Sequence, residues 1–229
     1  MESSQHWYAV HLGKTSQAPH AGWLRVYKSR DTNGRRTLEQ QVSIHGKLDG
    51  RALHQEATCR VVLTRRQGRM VPLEVEYQDA ARQCGLRFHE GRLEASGCAA
   101  GENGDALPDD VMPVYGVVAL AQGIHNQEGA SLTFTPLVET TGQLGTPGSK
   151  LVCQGKTEKT PFPGADPLWC VQWLSPEGTQ IQAFYFDDEG ELLQANWGGS
   201  RCRLVESESA ARPPEKSSGK SVRRPKVAG

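Results

Sequence analysis

The chain has 229 residues with 26 basic and 26 acidic side chains, so its formal net charge is zero. A neutral chain offers no overall field to attract nucleic acid or an anionic membrane, and no nucleic-acid partner is predicted. The sequence contains no run of about 18 apolar residues, which argues against a membrane-spanning helix. Its 25 glycines and 13 prolines favour many turns and few long helices.

The N-terminal half has the pattern of short strands joined by tight turns, beginning with residues 6–11. Residues 22–29 and 36–45 alternate apolar and polar side chains on either side of Asn33-Gly34. An Asn-Gly pair tolerates the positive φ angles of a tight turn, so these segments are predicted to form a hairpin. Strands joined by such short turns must pair antiparallel. Further strands are predicted at 52–66, 71–78, 86–89 and 92–95.

Residues 105–123, DALPDDVMPVYGVVALAQG, carry the clearest helix signal. Asp109 and Asp110 can accept hydrogen bonds from amides of a first helical turn, and an early proline such as Pro113 costs little there. The following apolar residues share one stripe at helical spacing: Val114, Val117, Val118 and Ala121. We predict a helix near 110–122 that ends at Gly123 and packs on the apolar face of a sheet.

The C-terminal half returns to strands, predicted at 130–139, 151–156, 168–175, 179–187, 191–197 and 201–205. Residues 140–149 form a loop, and the proline-containing segment 157–167 is of a kind that covers an opening. Residues 206–229 lack apolar periodicity and are predicted to be a disordered basic tail. The predicted fold of residues 1–205 is one mainly β domain: a curved antiparallel meander sheet, or half-barrel, with one central helix in its concave face.

Several segments resemble a known family. LPDDVMPVYGVVALAQG (107–123), SLTFTPLVE (131–139) and FYFDDEGELLQ (184–194) are similar to the DUF3108-like family of bacterial envelope proteins of unknown function. WYAVHLGK (7–14) is similar to the β module found before transglutaminase-like domains, although His11 replaces a tyrosine of that pattern. The resemblance implies a curved sheet wrapped over a helix, related in architecture to lipoprotein carriers.

The sequence leaves two compartments open. The first residues, MESSQHWYAVHLGK, lack the basic and apolar regions of a signal peptide. The chain as written is therefore expected in the cytoplasm, or in the periplasm if its true start lies upstream.

The six cysteines, Cys59, Cys84, Cys98, Cys153, Cys170 and Cys202, include no CxxC pair. Their even number permits three disulfides, but buried or half-buried free thiols are the favoured interpretation. Cys84, His89 and Cys98, with Cys59, offer the donor types of a zinc site without a recognised spacing. No metal and no cofactor are predicted.

The sequence contains no recognisable catalytic signature. The acidic groups Asp109/Asp110 and Asp187/Asp188/Glu189 lie where caps and turns use carboxylates for local backbone hydrogen bonds. GxSxG and HExxH motifs are absent from the sequence. We predict no catalytic residue.

The leading functional hypothesis is a non-catalytic β protein that holds an apolar ligand or a partner segment in the concave face of its sheet. The alternative for the same aromatic residues is that they simply fill the core. A second hypothesis is an enzyme, or an enzyme's accessory module, with Cys98 or His89 as its reactive group. A third is a scaffold that pairs through a sheet edge. The predicted ligand-binding residues are Tyr115, Trp169, Val171, Trp173, Phe184, Phe186 and Trp197.

Overall fold

The computed structural model describes residues 2–13, 17–48, 50–98, 106–157, 166–197 and 200–214. These residues form a 15-stranded sheet with short helices. The strands are β1 (Glu2–Leu12), β2 (His20–Arg30), β3 (Arg36–Leu48), β4 (Arg51–Arg66), β5 (Arg69–Asp79), β6 (Gln83–His89), β7 (Arg92–Ser96), β8 (Val111–Pro113), β9 (Ser131–Val138), β10 (Gln143–Leu144), β11 (Ser149–Thr157), β12 (Leu168–Leu174), β13 (Gln180–Phe186), β14 (Leu192–Trp197) and β15 (Ser200–Val205). The helices are a 3-10 turn (Val114–Gly116), α1 (Val117–Ile124) and α2 (Glu208–Ala211).

The sheet consists of two meanders joined by the first and last strands. Its order is β10-β9-β11-β12-β13-β14-β15-β1-β2-β3-β4-β5-β6-β7. β1 pairs antiparallel with β15, from Trp7 opposite Val205 to Leu12 opposite Ser200. The sheet curls strongly, since the Arg69 guanidinium of β5 donates to the Thr133 carbonyl of β9 at 3.2 Å. The predicted mainly β, curved antiparallel fold is confirmed.

The predicted hairpin at Asn33-Gly34 is also present. β2 and β3 pair in register from Gly22 opposite Ile44 to Arg30 opposite Arg36. The Asp31 carboxylate accepts the backbone N–H groups of Asn33 and Arg35, both at 2.9 Å. Gly34 has a φ of +78°, a backbone conformation that glycine adopts at lower energy than residues with a side chain. Local turn chemistry therefore sets this hairpin.

The central helix is shorter than predicted and begins later. Val111–Pro113 form strand β8, which pairs parallel with β9, so the expectation of a wholly antiparallel sheet was wrong at this position. Asp110 does not cap a helix, because its carboxylate accepts the Thr135 hydroxyl at 2.9 Å and its carbonyl accepts the Thr135 amide at 3.0 Å. These contacts hold the segment extended as far as Pro113. At its other end, α1 finishes at Ile124, one residue after the predicted stop at Gly123.

The helix packs inside the curl of the sheet, as predicted. α1 buries Val117, Ala119, Ala121 and Ile124 in a core that contains residues from both meanders. Val114 and Val118, from the predicted stripe, are only half-buried. Part of the stripe therefore fills the core, and part faces open space inside the sheet.

A buried carboxylate fixes the turn before α1. Glu139 is 1% exposed, and its Oε1 accepts the backbone N–H of Tyr115 at 2.6 Å. On the other side of the turn, the Tyr115 carbonyl accepts Nε2 of Gln40 in β3 at 2.7 Å. Burial raises the pKa of Glu139 to about 7, partly offset by the hydrogen bond from Tyr115. The turn is thus held to both meanders by polar groups.

One disulfide is present among the described residues, between Cys84 and Cys98. The favoured interpretation of six free thiols was therefore wrong for this pair, because pairing of β6 with β7 brings the two chain segments together. Cys59, Cys153, Cys170 and Cys202 are buried free thiols. Burial raises the pKa of Cys170 to about 11 and that of Cys202 to about 12, so both stay protonated near neutral pH.

The predicted tail begins with ordered structure. Helix α2 (Glu208–Ala211) is capped by the Ser207 hydroxyl, which accepts the Ala210 amide at 3.3 Å. Nε2 of His20 donates to the Ala211 carbonyl at 2.8 Å. The predicted start of the disordered tail at residue 206 was wrong, because this turn buries Ala211 against β1 and β2. Residues 215–229 lie outside the described residues.

Among the described residues, the helices are all too short or too polar to cross a bilayer.

Glu139 is expected to make stability fall as pH rises. Its pKa is raised from 4.5 to about 7 on folding, so the folded state holds a proton that the unfolded chain loses first. The resulting stabilisation is complete below pH 4.5 and is lost progressively up to about pH 7, by about 3 kcal/mol. Urea unfolding of wild type and Glu139→Gln across this range should show a stability difference that moves toward the variant as pH rises. A stability difference between wild type and Glu139→Gln that does not change with pH would contradict the raised pKa of Glu139. The Glu139→Ala variant should be less stable than wild type at every pH, because the Tyr115 amide loses its hydrogen-bond acceptor.

The Cys84–Cys98 disulfide is expected to stabilise the β6–β7 end of the sheet. It closes a loop with a sequence separation of 14, for which chain entropy gives about 3 kcal/mol. Urea unfolding of the Cys84→Ser/Cys98→Ser double variant should show a loss of about 2–3 kcal/mol. Thiol titration of the denatured, unreduced wild type should find the four thiols of the remaining cysteines. A count of six, or unchanged stability in the double variant, would contradict the pairing.

Candidate ligand-binding cavity

A cavity of about 240 Å³ lies inside the curl of the sheet, beside the turn that precedes α1. One wall comes from β1 to β4, the opposite wall from β13 to β15, and the third side from the segment 114–118. Its lining residues are Tyr8, Leu24, Val26, Lys28, Gln40, Val42, Ile44, Gln55, Val114, Tyr115, Val118, Gln182, Phe184, Leu192, Ala195, Trp197 and Cys202.

The walls are mainly apolar because alternate residues of a strand point to the same face. In the first wall, Leu24 lies opposite Val42 and Val26 opposite Gln40 across the β2–β3 ladder. In the second wall, Phe184 lies opposite Ala195, which in turn lies opposite Cys202. The small side chains of Ala195 and Cys202 leave the space that larger residues would fill.

One end of the cavity carries a compact polar group. Nζ of Lys28 lies 3.0 Å from Oε1 of Glu191, and Nδ1 of His6 lies 3.5 Å from the same oxygen. The Tyr8 hydroxyl donates to the Leu192 carbonyl at 3.0 Å. Lys28 and Tyr8 also line the cavity. A molecule in the cavity would therefore meet mainly apolar walls, this charged end, and the amide side chains of Gln40, Gln55 and Gln182.

Burial controls the charge at this end. Burial lowers the pKa of His6 and so favours a neutral imidazole, although the attraction of the Glu191 carboxylate opposes this shift. Burial also raises the pKa of Tyr8 well above its ordinary value, and the nearby Glu191 carboxylate raises it further. The Tyr8 hydroxyl is therefore a neutral hydrogen-bond donor near pH 7, and the Lys28–Glu191 pair supplies opposite charges that balance.

The predicted ligand-binding residues divide into two groups. Tyr115, Phe184 and Trp197 line the cavity. The other four lie outside the cavity lining. Their positions are as follows: Val171 is fully buried, the Trp173 ring lies 5.3 Å from that of Phe134, the Phe186 ring lies 5.5 Å from that of His125, and Nε1 of Trp169 donates to Asp188 at 2.8 Å.

The sequence-based prediction missed the wall formed by β1 to β4. Leu24 and Val26 lie in a strand that was predicted, but nothing local indicates that this strand faces β14 across a cavity. Lys28 was missed for the same reason, since its partner Glu191 is 163 residues away in the chain. The only available signal was the alternation of apolar residues in β2 and β3.

The reactive-cysteine hypothesis and the alternative zinc set do not fit the structure. Cys98 is bonded to Cys84, so it offers no thiolate in this state. Cys59 is a fully buried thiol of the core, and burial raises its pKa far above the ordinary value. His89 is exposed, and its Nδ1 lies 4.0 Å from Oε2 of Glu90. The structure therefore does not bring these residues together as a metal or nucleophile site.

A larger depression of about 660 Å³ lies over β5 to β7. Its lining includes Glu74, Glu76, Arg87 and Glu94, and Nε of Arg87 lies 3.7 Å from Oε1 of Glu74. These side chains form a charged outer surface, which salt and water screen. The smaller inner cavity is the better candidate site because its walls are mainly apolar and its charged groups lie together at one end.

Comparison with known proteins supports the fold. No family model matches the chain, and no curated protein matches it. Among solved structures, the chain is similar to the crystal structure of a β-barrel-like protein of domain of unknown function DUF1849 from Brucella abortus. The TM-score is 0.54 at 10% sequence identity, over 88% of this chain and 95% of that chain. At this identity the similarity concerns architecture alone, and the resemblance to DUF3108-like proteins stays a prediction.

Proposed function

We propose that this protein binds a small apolar or amphipathic molecule in the cavity between β1–β4 and β13–β15. The observation that carries the proposal is a mainly apolar lining, with a charged group at the Lys28 end, in a pocket inside the curl of the sheet. The cavity volume of about 240 Å³ exceeds the roughly 150 Å³ that accommodates benzene in an apolar cavity. It lies just below the range of about 300–1,000 Å³ for drug-sized ligands. The site therefore suits one ring system or one short acyl chain.

The proposed ligand orients with its polar group toward Lys28 and Tyr8. The Lys28 ammonium is a donor at that end and Glu191 is an acceptor, while the Tyr8 hydroxyl, whose hydrogen goes to the Leu192 carbonyl, can accept. Because the charges of Lys28 and Glu191 balance, the site does not require a charged ligand. A hydroxyl, amide or carboxyl group would find partners there.

We further propose that the protein acts outside the cytoplasm, as the resemblance to DUF3108-like envelope proteins implies. The Cys84–Cys98 disulfide supports this proposal, because disulfides persist mainly in oxidising compartments. A binding role for an apolar molecule is compatible with an envelope location. Isolation of the protein from its host, with analysis of co-purified small molecules, would identify the natural ligand.

A fluorescence titration with N-phenyl-1-naphthylamine tests the cavity. This uncharged dye becomes bright in apolar surroundings, and we expect saturable binding to the wild type. Val118→Phe replaces a small branched side chain in the cavity wall by a bulky ring that occupies part of the space. It should weaken dye binding about tenfold, which corresponds to a loss of about 1.4 kcal/mol in binding free energy. Val138→Phe is the matched control, because it makes the same change at a side chain that is 39% exposed and lies outside the cavity.

Intrinsic fluorescence provides a second readout. Trp197 is the tryptophan that lines the cavity, so bound dye should quench a component of the emission that is lost in Trp197→Phe. The proposal would be contradicted by equal dye binding in wild type, Val118→Phe and Val138→Phe, or by the absence of saturable binding. Circular dichroism would verify that each variant keeps the β fold.

A further inference from the structure

A second cluster of polar side chains lies on the outer face of the β3–β4 hairpin. His45 and His54 are directly opposite each other across the ladder, and Glu56 pairs with Ser43 in the next row of the same face. Nε2 of His45 lies 3.1 Å from Oε1 of Glu56, and the two imidazole ring centroids are 4.2 Å apart. The potential ligand atoms of the three residues all lie within 4.8 Å of one another.

We propose that His45, His54 and Glu56 bind a divalent transition-metal ion, with zinc as the best fit. Imidazole and carboxylate are ligands that Zn²⁺ takes readily, and two histidines with one carboxylate leave a further position for water. Metal–ligand distances of about 2.0–2.2 Å place ligand atoms about 3.3 Å apart in a tetrahedral site. The His45–Glu56 pair lies close to that spacing, and all three ligand atoms lie within 4.8 Å of one another, so closure of the site requires only side-chain adjustment.

The strand backbones supply the preorganisation. Cross-strand partners in an antiparallel pair hold their Cβ atoms about 5 Å apart, which limits how far the two imidazoles can separate. The side chains of His45 and Glu56 are 50% and 58% exposed, so their rotamers can adjust without disturbing the core. The Ser43 hydroxyl lies 3.3 Å from Nε2 of His45, a contact that metal binding at this nitrogen would replace.

The charge balance on this face is compatible with a cation. Glu56 contributes one negative charge, and the two imidazoles are neutral when they act as ligands. Lys47 follows two residues after His45 on the same face and is the opposing charge, but its exposed ammonium can extend away into water. The site is separate from the inner cavity, whose lining includes none of the three residues.

Calorimetric titration of the untagged full chain with Zn²⁺ tests this proposal. After treatment with a chelator and exchange into a non-coordinating buffer, wild type should bind one zinc ion per chain. His54→Ala and Glu56→Gln should each weaken binding about tenfold or more, since loss of a ligand costs at least as much as loss of an outer-shell partner. His89→Ala is the matched control, because His89 is also exposed beside a carboxylate, Glu90, at 4.0 Å.

Nuclear magnetic resonance gives an independent readout. Substoichiometric Zn²⁺ should shift the imidazole signals of His45 and His54 before those of His89 and the other histidines. The proposal is overturned if the wild type shows no binding up to millimolar zinc. It is equally overturned if His54→Ala and Glu56→Gln bind as the wild type does, or if His89→Ala weakens binding as much as they do. Circular dichroism of each variant separates loss of the site from loss of the fold.

Discussion

The antiparallel ladder between β1 and β15 is the interaction on which the rest of the structure depends. Each meander alone would be a sheet with an unpaired edge and one apolar face exposed to water. The ladder from Trp7–Val205 to Leu12–Ser200 joins them into one sheet that can curl around α1. It also places the Tyr8 hydroxyl against the Leu192 carbonyl. The polar end of the cavity therefore exists only because the two halves meet along this line.

The turn before α1 is the second constraint, because it determines how much of the space inside the curl of the sheet is filled by side chains. Polar contacts from Gln40 in β3 and from Glu139 after β9 fix its backbone at Tyr115. With that backbone fixed, Val117 and Ala121 enter the core while Val114 and Val118 remain at the cavity wall. The open volume is thus a result of helix placement and of small residues, chiefly Ala195, on the facing strand.

Local signals predicted the strands but not their distant neighbours. The β2–β3 hairpin follows from Asn33-Gly34 and Asp31, whose contacts span a few residues. The helix start could not be predicted, because Asp110 is drawn to Thr135 by a tertiary contact that its own sequence does not reveal. For the site, Phe184 and Phe186 are both predicted ligand-binding residues, yet only Phe184 lines the cavity. The choice between them depends on strand stagger and curvature, which are properties of the whole curved sheet. The His45–His54 pair likewise depends on register, since a slip of one residue would separate the rings.

The joining of the first and last strands also has a consequence for the order of assembly. Within each meander, neighbouring strands are close in sequence, so their pairing costs little loop-closure entropy. The Tyr8–Leu192 contact links groups 184 residues apart, which raises the contact order of the whole domain. The meanders are therefore expected to form early and the β1–β15 ladder last. The space inside the curl of the sheet, and with it any capacity to hold a guest molecule, then appears only in the final folding step.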